Sequence, residues 1–262
     1  MKKIILLAFV LTTFSAQAQT PNPEKQPKVK DYKRFYLVGV TEVINGIGFL
    51  ETGDITISDG NGTLLKVYDS PSIRMVPRFS AFFHTGEQAH FQFSKNLGFY
   101  TGLGIRNVGM INKINDTITL KQRAYSIGIP AAIKIGNMAK KAYLALGGEI
   151  ELFFHYKQKS WIDGRDNKVK FRDWFSNRIE LINPSVFAEL NFGKGNFLKL
   201  RYYPMNWLRG EQKVSLKNGD RNYLATFTPT QSTMFNITLG KIIPNKERKK
   251  KVGQAEPRNS NI

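Results

Sequence analysis

The chain has 262 residues, no cysteine and a formal net charge of +19 at pH 7. This length suits one domain, and without cysteine the fold cannot depend on disulfides or on a lipid attached to an N-terminal cysteine. The positive balance favours anionic partners, and charges and glycines interrupt every apolar run after the first, which excludes a later transmembrane helix.

The N-terminus has the pattern of a secretory signal. Lys2 and Lys3 precede a short apolar run, and Ala-Gln-Ala at 16–18 supplies a small-x-small cleavage site. The apolar run is too short for a helix that crosses about 30 Å of hydrocarbon. We therefore expect a signal peptide over 1–18 and an exported mature chain, for which nucleic acid is not an expected partner.

The mature chain is predicted to divide by composition into three parts. A Pro- and Lys-rich leader occupies 19–31, a β-barrel domain occupies 32–243, and a disordered basic tail in the periplasm occupies 244–262. The tail either contacts anionic headgroups or the cell wall, or is simply solvated. Its cations are Lys246, Arg248, Lys249, Lys250 and Lys251.

The domain contains eight strand-like segments separated by turn-rich stretches. They lie at 32–49, 73–86, 97–111, 122–136, 141–157, 178–193, 196–208 and 233–243. Long connections at 50–72, 112–121, 158–177 and 209–232 alternate with shorter ones at 87–96, 137–140 and 194–195. An even number of strands places both ends on one side. In bacterial outer-membrane barrels that side is the periplasm, with long loops outside.

Apolar and polar residues alternate along these segments, which indicates strands with one apolar and one polar face. A soluble sandwich or a lipocalin-like periplasmic binding protein alternates too. The segments, however, exceed the usual length of about 5–6 residues for globular strands. Aromatic residues near the segment ends resemble interfacial girdles: Tyr32, Phe35, Tyr36, Tyr143, Phe154, Tyr156, Tyr202, Tyr203 and Trp207. The pattern therefore predicts an all-β fold, an eight-stranded antiparallel up-and-down transmembrane β-barrel.

If the apolar face meets lipid, the polar face fills the lumen. The residues predicted to point inward are Arg74, Arg78, Ser80, His84, Arg106, Lys134, Glu149, Glu151, His155, Asn183, Ser185, Glu189, Asn191, Lys199 and Arg201. An eight-stranded barrel is only wide enough for side chains or one small ligand. Buried charges need partners. We expect an ion-pair network of Glu149, Glu151 and Glu189 with Arg74, Arg78, Arg106, Lys134, Lys199 and Arg201, with cations in surplus and a plugged interior.

The stretch Leu97-Gly98-Phe99-Tyr100-Thr101-Gly102-Leu103-Gly104, followed by Tyr125-Ser126-Ile127-Gly128-Ile129-Pro130, resembles the PorT-like outer-membrane β-barrel family of Bacteroidota. The resemblance covers most of the mature chain in architecture and these two strands in motif. It implies a barrel without enzymatic activity, and one branch of the family is similar to a component of protein secretion and gliding. The basic tail after the final strand departs from barrels that end in an aromatic residue.

Enzymatic and metal chemistry find little support in the sequence. The chain has three histidines, and Ser80 lies four residues from His84, about 13 Å along a regular strand and too far for a hydrogen bond. No cysteine and no His pair at a ligand spacing is present, so we expect no metal and no cofactor. The acidic Gly turns at 59–62 and 163–166 are interpreted as hairpin tips.

We therefore expect a monomeric, non-enzymatic outer-membrane barrel with a structural, adhesive or secretion-partner role. Its contact surface would be the loops 158–177, with Trp161, Trp174 and Phe175, and 209–232. Expected partners are outer-membrane lipids, lipopolysaccharide and other envelope proteins. The alternatives are a soluble lipocalin-like binding protein and, less favoured, a lipid-modifying outer-membrane enzyme.

Overall fold

The computed structural model describes residues 33–69, 71–82, 84–162 and 167–244. The predicted signal peptide 1–18, the leader 19–31, the hairpin tip 163–166 and the tail after Pro244 lie outside these ranges. Within the described ranges, no helix is long and apolar enough to cross a membrane.

Fifteen β-strands make up the described part of the chain, and several are as long as 18 to 21 residues. They are β1 Phe35–Thr52, β2 Ile55–Asp59, β3 Leu64–Tyr68, β4 Ile73–Val76, β5 Arg78–Ser80, β6 Thr85–Gln92, β7 Leu97–Ile114, β8 Ile118–Asn137, β9 Ala142–Ile162, β10 Val169–Trp174, β11 Ile182–Phe192, β12 Asn196–Tyr203, β13 Gln212–Asn218, β14 Arg221–Phe227 and β15 Pro229–Pro244.

The long strands close into a ring of eight wall positions. All pairings are antiparallel, and each wall position pairs with the next wall position along the chain. The last strand, β15, pairs with β1 from Val38↔Pro244 to Thr52↔Pro229 and completes the ring. The second wall position is built from β4, β5 and β6, and the sixth from β10 and β11. The predicted eight-stranded antiparallel up-and-down barrel is confirmed.

Two ends of the barrel differ in their connections. The turn end carries the short connections 93–96, 138–141 and 193–195, and the opposite end, here called the loop end, carries the others. The predicted long connection 112–121 is wrong, because β7 and β8 continue to Ile114 and Ile118, which pair with each other. The predicted strand 73–86 likewise ends too early, since β6 continues to Gln92.

The first and last long connections form a second sheet that the sequence did not predict. Its strand order is β13-β14-β2-β3, and β14 pairs with β2 between Tyr223↔Asp59 and Thr226↔Thr56. We call it the loop sheet. Asp59 occupies the β2–β3 hairpin tip, where its carboxylate accepts the backbone N–H groups of Asn61 and Thr63.

The outer wall carries an apolar belt, defined here by the outward residues of the barrel strands between two aromatic rows. At the turn end Phe35, Phe91 and Phe99 are neighbours, with ring centroids 5.1 and 6.3 Å apart. At the loop end the row is Tyr125, His155 and Trp174. Exposed aliphatic residues between these rows include Leu37, Leu103, Ile129, Ile133, Leu146, Ile150, Val186, Ile237 and Leu239.

The height of the belt follows from strand geometry. Phe99 pairs with Ile133, and Tyr125 lies eight residues before Ile133 on β8. Eight residues span about 26 Å along a strand. With the strand tilt of about 40° usual in barrels, this is about 20 Å along the barrel axis. The belt is therefore comparable to the apolar band of about 25 Å found on outer-membrane barrels.

Candidate functional site

The middle of the lumen holds a chain of buried ion pairs. Glu42 on β1 accepts hydrogen bonds from Arg106 Nε at 2.9 Å and from Lys199 Nζ at 2.8 Å. Lys199 Nζ also lies 3.1 Å from Glu189, whose carboxylate accepts the hydroxyl of Tyr100 at 3.0 Å. All five side chains are buried, so each charge depends on these partners instead of water.

The network continues toward the loop end through Glu149, which is paired with both Arg106 and Arg201. Arg201 Nη1 lies 2.6 Å from Glu151, and the Tyr203 hydroxyl donates to the same carboxylate at 2.7 Å. The network is thus continuous across β1, β7, β9, β11 and β12. These ion pairs and hydrogen bonds connect strands on opposite sides of the barrel.

The composition of the network differs from the prediction. The structure brings together six of the nine predicted members, namely Arg106, Glu149, Glu151, Glu189, Lys199 and Arg201. The other three, Arg74, Arg78 and Lys134, form no direct ion pair with these carboxylates. Arg74 lies at the loop end, where its exposed guanidinium pairs with Asp116 at 2.7 Å. With Glu42 included, this network has four carboxylates and three cations; with Arg78 and Lys134 added, the buried side chains of the described lumen comprise five cations and four carboxylates.

Sequence reasoning missed Glu42. It lies on the inward side of β1 between Val40 and Ile44, which are buried as well. The outward side of β1 carries the polar residues Thr41 and Asn45 among apolar ones, so neither side is consistently polar and the orientation could not be read from the pattern. The pairing of β1 with β15 fixes the orientation, and a sequence pattern carries no signal of that pairing.

Arg78 belongs to a separate polar group beside the network. Its guanidinium donates to the Asn107 side chain at 2.7 Å and to the Asn107 carbonyl at 3.1 Å. The Asn107 N–H donates to His84 Nδ1 at 3.3 Å, and His84 Nε2 lies 2.8 Å from Ser80 Oγ. The predicted separation of Ser80 and His84 is wrong, because β5 ends at Ser80 and the strand resumes only at Thr85.

The turn end of the lumen is filled by stacked rings around one lysine. His90 lies between Tyr36 and Tyr100, with ring centroids 4.8 and 5.1 Å away. Lys134 Nζ donates to His90 Nδ1 at 3.0 Å, and His90 Nε2 faces Gln88 Oε1 at 3.0 Å. Lys134 is therefore buried among aromatic rings and a neutral imidazole, which differs from the predicted ion pair.

The loop end of the lumen is closed by an apolar core. The inner face of the loop sheet, with Ile55, Val214 and Phe227, packs with Phe153 and Trp207 of the barrel end in one buried cluster. With the ionic network in the middle and stacked rings at the turn end, three layers of side chains fill the lumen. Each layer is built from buried side chains of the described residues, which fits an eight-stranded barrel, whose interior is only wide enough for side chains or one small ligand.

A β-bulge at Phe154 reverses the facing of the last part of β9. Tyr125 pairs with His155, and the next residue of β8, Ser126, pairs with Phe153. His155, predicted inward, therefore faces outward, and Tyr156 is fully buried. Several predicted girdle residues are likewise inside the barrel: Tyr36, Tyr143, Tyr156, Tyr203 and Trp207.

Two further predictions concern the surface. Trp174 and Phe175 are exposed as expected for a contact loop, but Trp174 belongs to β10, which extends the wall instead of forming a loop. The tail cations Lys246, Arg248, Lys249, Lys250 and Lys251 lie outside the described residues. In the described part of the chain, no group of three or more His, Asp or Glu side chains is placed to hold a metal ion.

No protein-family model and no curated protein sequence matches this chain. Among solved structures it is similar to the outer membrane protein OprG from Pseudomonas aeruginosa, with 10% identity over 80% of this chain and 98% of that one, and a TM-score of 0.35. It is also similar to Ail, the attachment invasion locus protein of Yersinia pestis, in a complex with the heparin analogue sucrose octasulfate (11% identity, 78% and 98% coverage, TM-score 0.27). A third similar structure is the outer membrane protein AlkL in DMPC bilayers (12% identity, 86% and 97% coverage, TM-score 0.28). At these identities the likeness concerns the fold alone, and the PorT-like resemblance stays a prediction.

Proposed function

We propose that this protein spans the bacterial outer membrane as a sealed, non-enzymatic barrel that presents its loop sheet to a protein partner. The observation that carries the proposal is the polarity of the wall: isoleucines such as Ile129 and Ile133 face outward, whereas Glu149, Glu151 and Arg201 face inward. A soluble lipocalin-like barrel has the opposite polarity, because it must bury its apolar face.

The orientation in the membrane follows from the ends of the ring. The described chain enters β1 and leaves β15 at the turn end, where Val38 pairs with Pro244. Outer-membrane barrels have their short turns in the periplasm and their longer loops outside. The loop sheet would then face the cell exterior, and both chain termini would lie in the periplasm.

The only Ser–His pair in the described lumen is Ser80 and His84, and its hydrogen bonds do not suit a lipid-modifying activity. His84 Nδ1 accepts the Asn107 N–H, so the ring proton is on Nε2 and is donated to Ser80 Oγ. A general base needs the reverse arrangement, in which the imidazole accepts the hydroxyl proton. Both side chains are also buried, away from any lipid headgroup.

The loop sheet offers one edge to a partner. Strand β13 at one edge is covered, because its carbonyls at Lys213 and Ser215 accept hydrogen bonds from Arg178 and Ser160. Strand β3 is the other edge, and Leu64 and Leu65 are 60% and 53% exposed. Exposed apolar edge strands accept extended segments of other proteins by strand addition. This edge therefore supports an adhesive or assembly role, including the secretion role that the PorT-like resemblance implies.

Membrane residence is tested by fractionation. We expect the protein in the outer membrane, soluble only with detergent, and migrating faster on gels before boiling than after. Full solubility without detergent would contradict the proposal.

The contact edge is tested in cells by photo-crosslinking from a benzophenone amino acid placed at Leu65. The matched control position is Asn218, which is exposed at the β13–β14 hairpin tip of the same sheet. A discrete adduct with an envelope or surface protein from Leu65 but not from Asn218 supports the edge as the contact. Equal labelling from both positions, or none from either, contradicts it.

A further inference from the structure

Two rows of cations cross the outer wall just above the apolar belt. The register places Lys121 opposite Lys159 and Lys159 opposite Lys170. The adjacent row places Arg123, Lys157 and Arg172 opposite one another in the same way. All six alternate with residues that point inward, such as Gln122 and Gln158, so they share the outward face of β8, β9 and β10.

This arrangement opposes the stability of the sheet, because like charges directly across a strand pair repel. Partial burial lowers the pKa of the Lys159 ammonium group, and the nearby cations Arg123, Lys168, Lys170 and Arg172 lower it further. An anion bound across both rows would remove this repulsion.

The position of the rows fits the headgroup region. They lie immediately beyond the aromatic row of Tyr125, His155 and Trp174, in which His155 stacks on Trp174 with centroids 4.4 Å apart. Arg172 is two residues beyond Trp174, about 7 Å along the strand. Aromatic rows mark the boundary between hydrocarbon and headgroups, so the cations are at the depth of lipid phosphates.

A cleft of about 580 Å³ continues the site away from the belt. Four lysines line it, namely Lys113, Lys121, Lys159 and Lys168, together with Trp161. The ammonium group of Lys168 lies 6.0 Å from the centroid of the Trp161 ring. Asp116 also borders the cleft, but its carboxylate is paired with Arg74. The volume is within the range of small-molecule sites, and a flat indole beside several ammonium groups suits a phosphorylated sugar.

We propose that this face binds the headgroup of a phosphorylated glycolipid in the outer leaflet, with its phosphates on the two cation rows and a sugar in the cleft. The proposal rests on the proposed outer-membrane location, which fractionation tests independently. The six cations of the two rows would thus bind a lipid and not a soluble anion.

The experiment measures binding of a lipid A-type glycolipid to the folded full-length mature protein in uncharged detergent micelles. The test variant combines Lys157→Gln with Lys159→Gln, which removes the central cation of each row. The matched control combines Lys213→Gln with Lys217→Gln, two exposed lysines of the loop sheet. Gel migration before and after boiling verifies that each variant is folded.

We expect the test variant to bind about 30-fold more weakly than the unmodified protein, since each lysine near a charged membrane surface contributes about a factor of five. The control should differ by less than about twofold, and the charge-preserving pair Lys157→Arg and Lys159→Arg should bind like the unmodified protein. The glycolipid without its phosphates should bind the unmodified protein at least as weakly as the phosphorylated form binds the test variant, which keeps four of the six cations.

Equal binding by the test variant and the control would overturn the proposal, as would undiminished binding of the dephosphorylated glycolipid. Inorganic phosphate that binds as tightly as the glycolipid would overturn the assignment to lipid. If the test variant does not fold, Lys170→Gln with Arg172→Gln on the exposed edge of β10 replaces it, with the same expected loss.

Discussion

Glu42 and Lys199 are 157 residues apart in the chain, and their side chains meet at 2.8 Å in the middle of the lumen. The contact joins the first wall strand to β12, with only β15 between them in the ring. It can form only when the ring is closed by the pairing of β1 with β15. The ion pair therefore depends on completion of the barrel.

Replacing Glu42 with Gln is expected to destabilise the barrel strongly. Arg106 and Lys199 would each lose a carboxylate partner while remaining buried, and breaking buried ion pairs of this kind costs about 3–5 kcal/mol. The measurement is the urea midpoint of the folded protein in micelles. The control is Glu51→Gln on the same strand, which is exposed and should change stability by less than about 0.5 kcal/mol. Equal effects of the two substitutions would contradict the network.

Gly128 makes room for the network, and Gly128→Ala is expected to weaken the fold. A Cβ at this position would overlap the Glu149 carboxylate, and overpacking of this kind costs about 1–3 kcal/mol. Gly53→Ala is the matched control, because nothing lies within 4 Å of a Cβ there. Thermal unfolding in micelles distinguishes them, and an unchanged midpoint for Gly128→Ala would show that the lumen is looser than described.

The bulge at Phe154 predicts opposite accessibilities for two adjacent residues. His155 faces outward and Tyr156 is buried. The chain has no cysteine, so His155→Cys and Tyr156→Cys each introduce a single thiol. A maleimide that partitions into the micelle should modify the first thiol in the folded protein and the second only after denaturation. Labelling in the reverse order would mean that β9 continues without a bulge.

Much of the wall could be predicted from the sequence, because a strand with one lipid-facing side must alternate. On β8 the alternation from Ala124 to Ile135 gives the facing of every residue as observed. On β1 polar residues occur on both faces, with Glu42 inward and Thr41 and Asn45 outward, so the inward position of Glu42 could not be read from the pattern. On β9 one extra residue at Phe154 shifts the alternation, and nothing in its composition marks the shift.

The loop sheet was missed for a different reason. The alternating residues Lys213, Val214, Ser215 and Leu216, followed by the turn dipeptide Asn218-Gly219, are typical of a hairpin. This signal was available within a segment interpreted as a loop. No local sequence pattern predicts the pairing of β14 with β2, because these strands are more than 150 residues apart in sequence.

A cysteine scan of β8 from Ile127 to Ile135 in lipid bilayers tests directly whether the apolar face of the barrel meets lipid. Each single thiol carries a small fluorophore, and quenching by brominated lipid chains is recorded. We expect strong quenching at the outward positions Ile127, Ile129, Ala131, Ile133 and Ile135, and weak quenching at the inward positions between them. Quenching in the opposite phase, or at no position, would contradict a membrane-spanning barrel with an ionic interior.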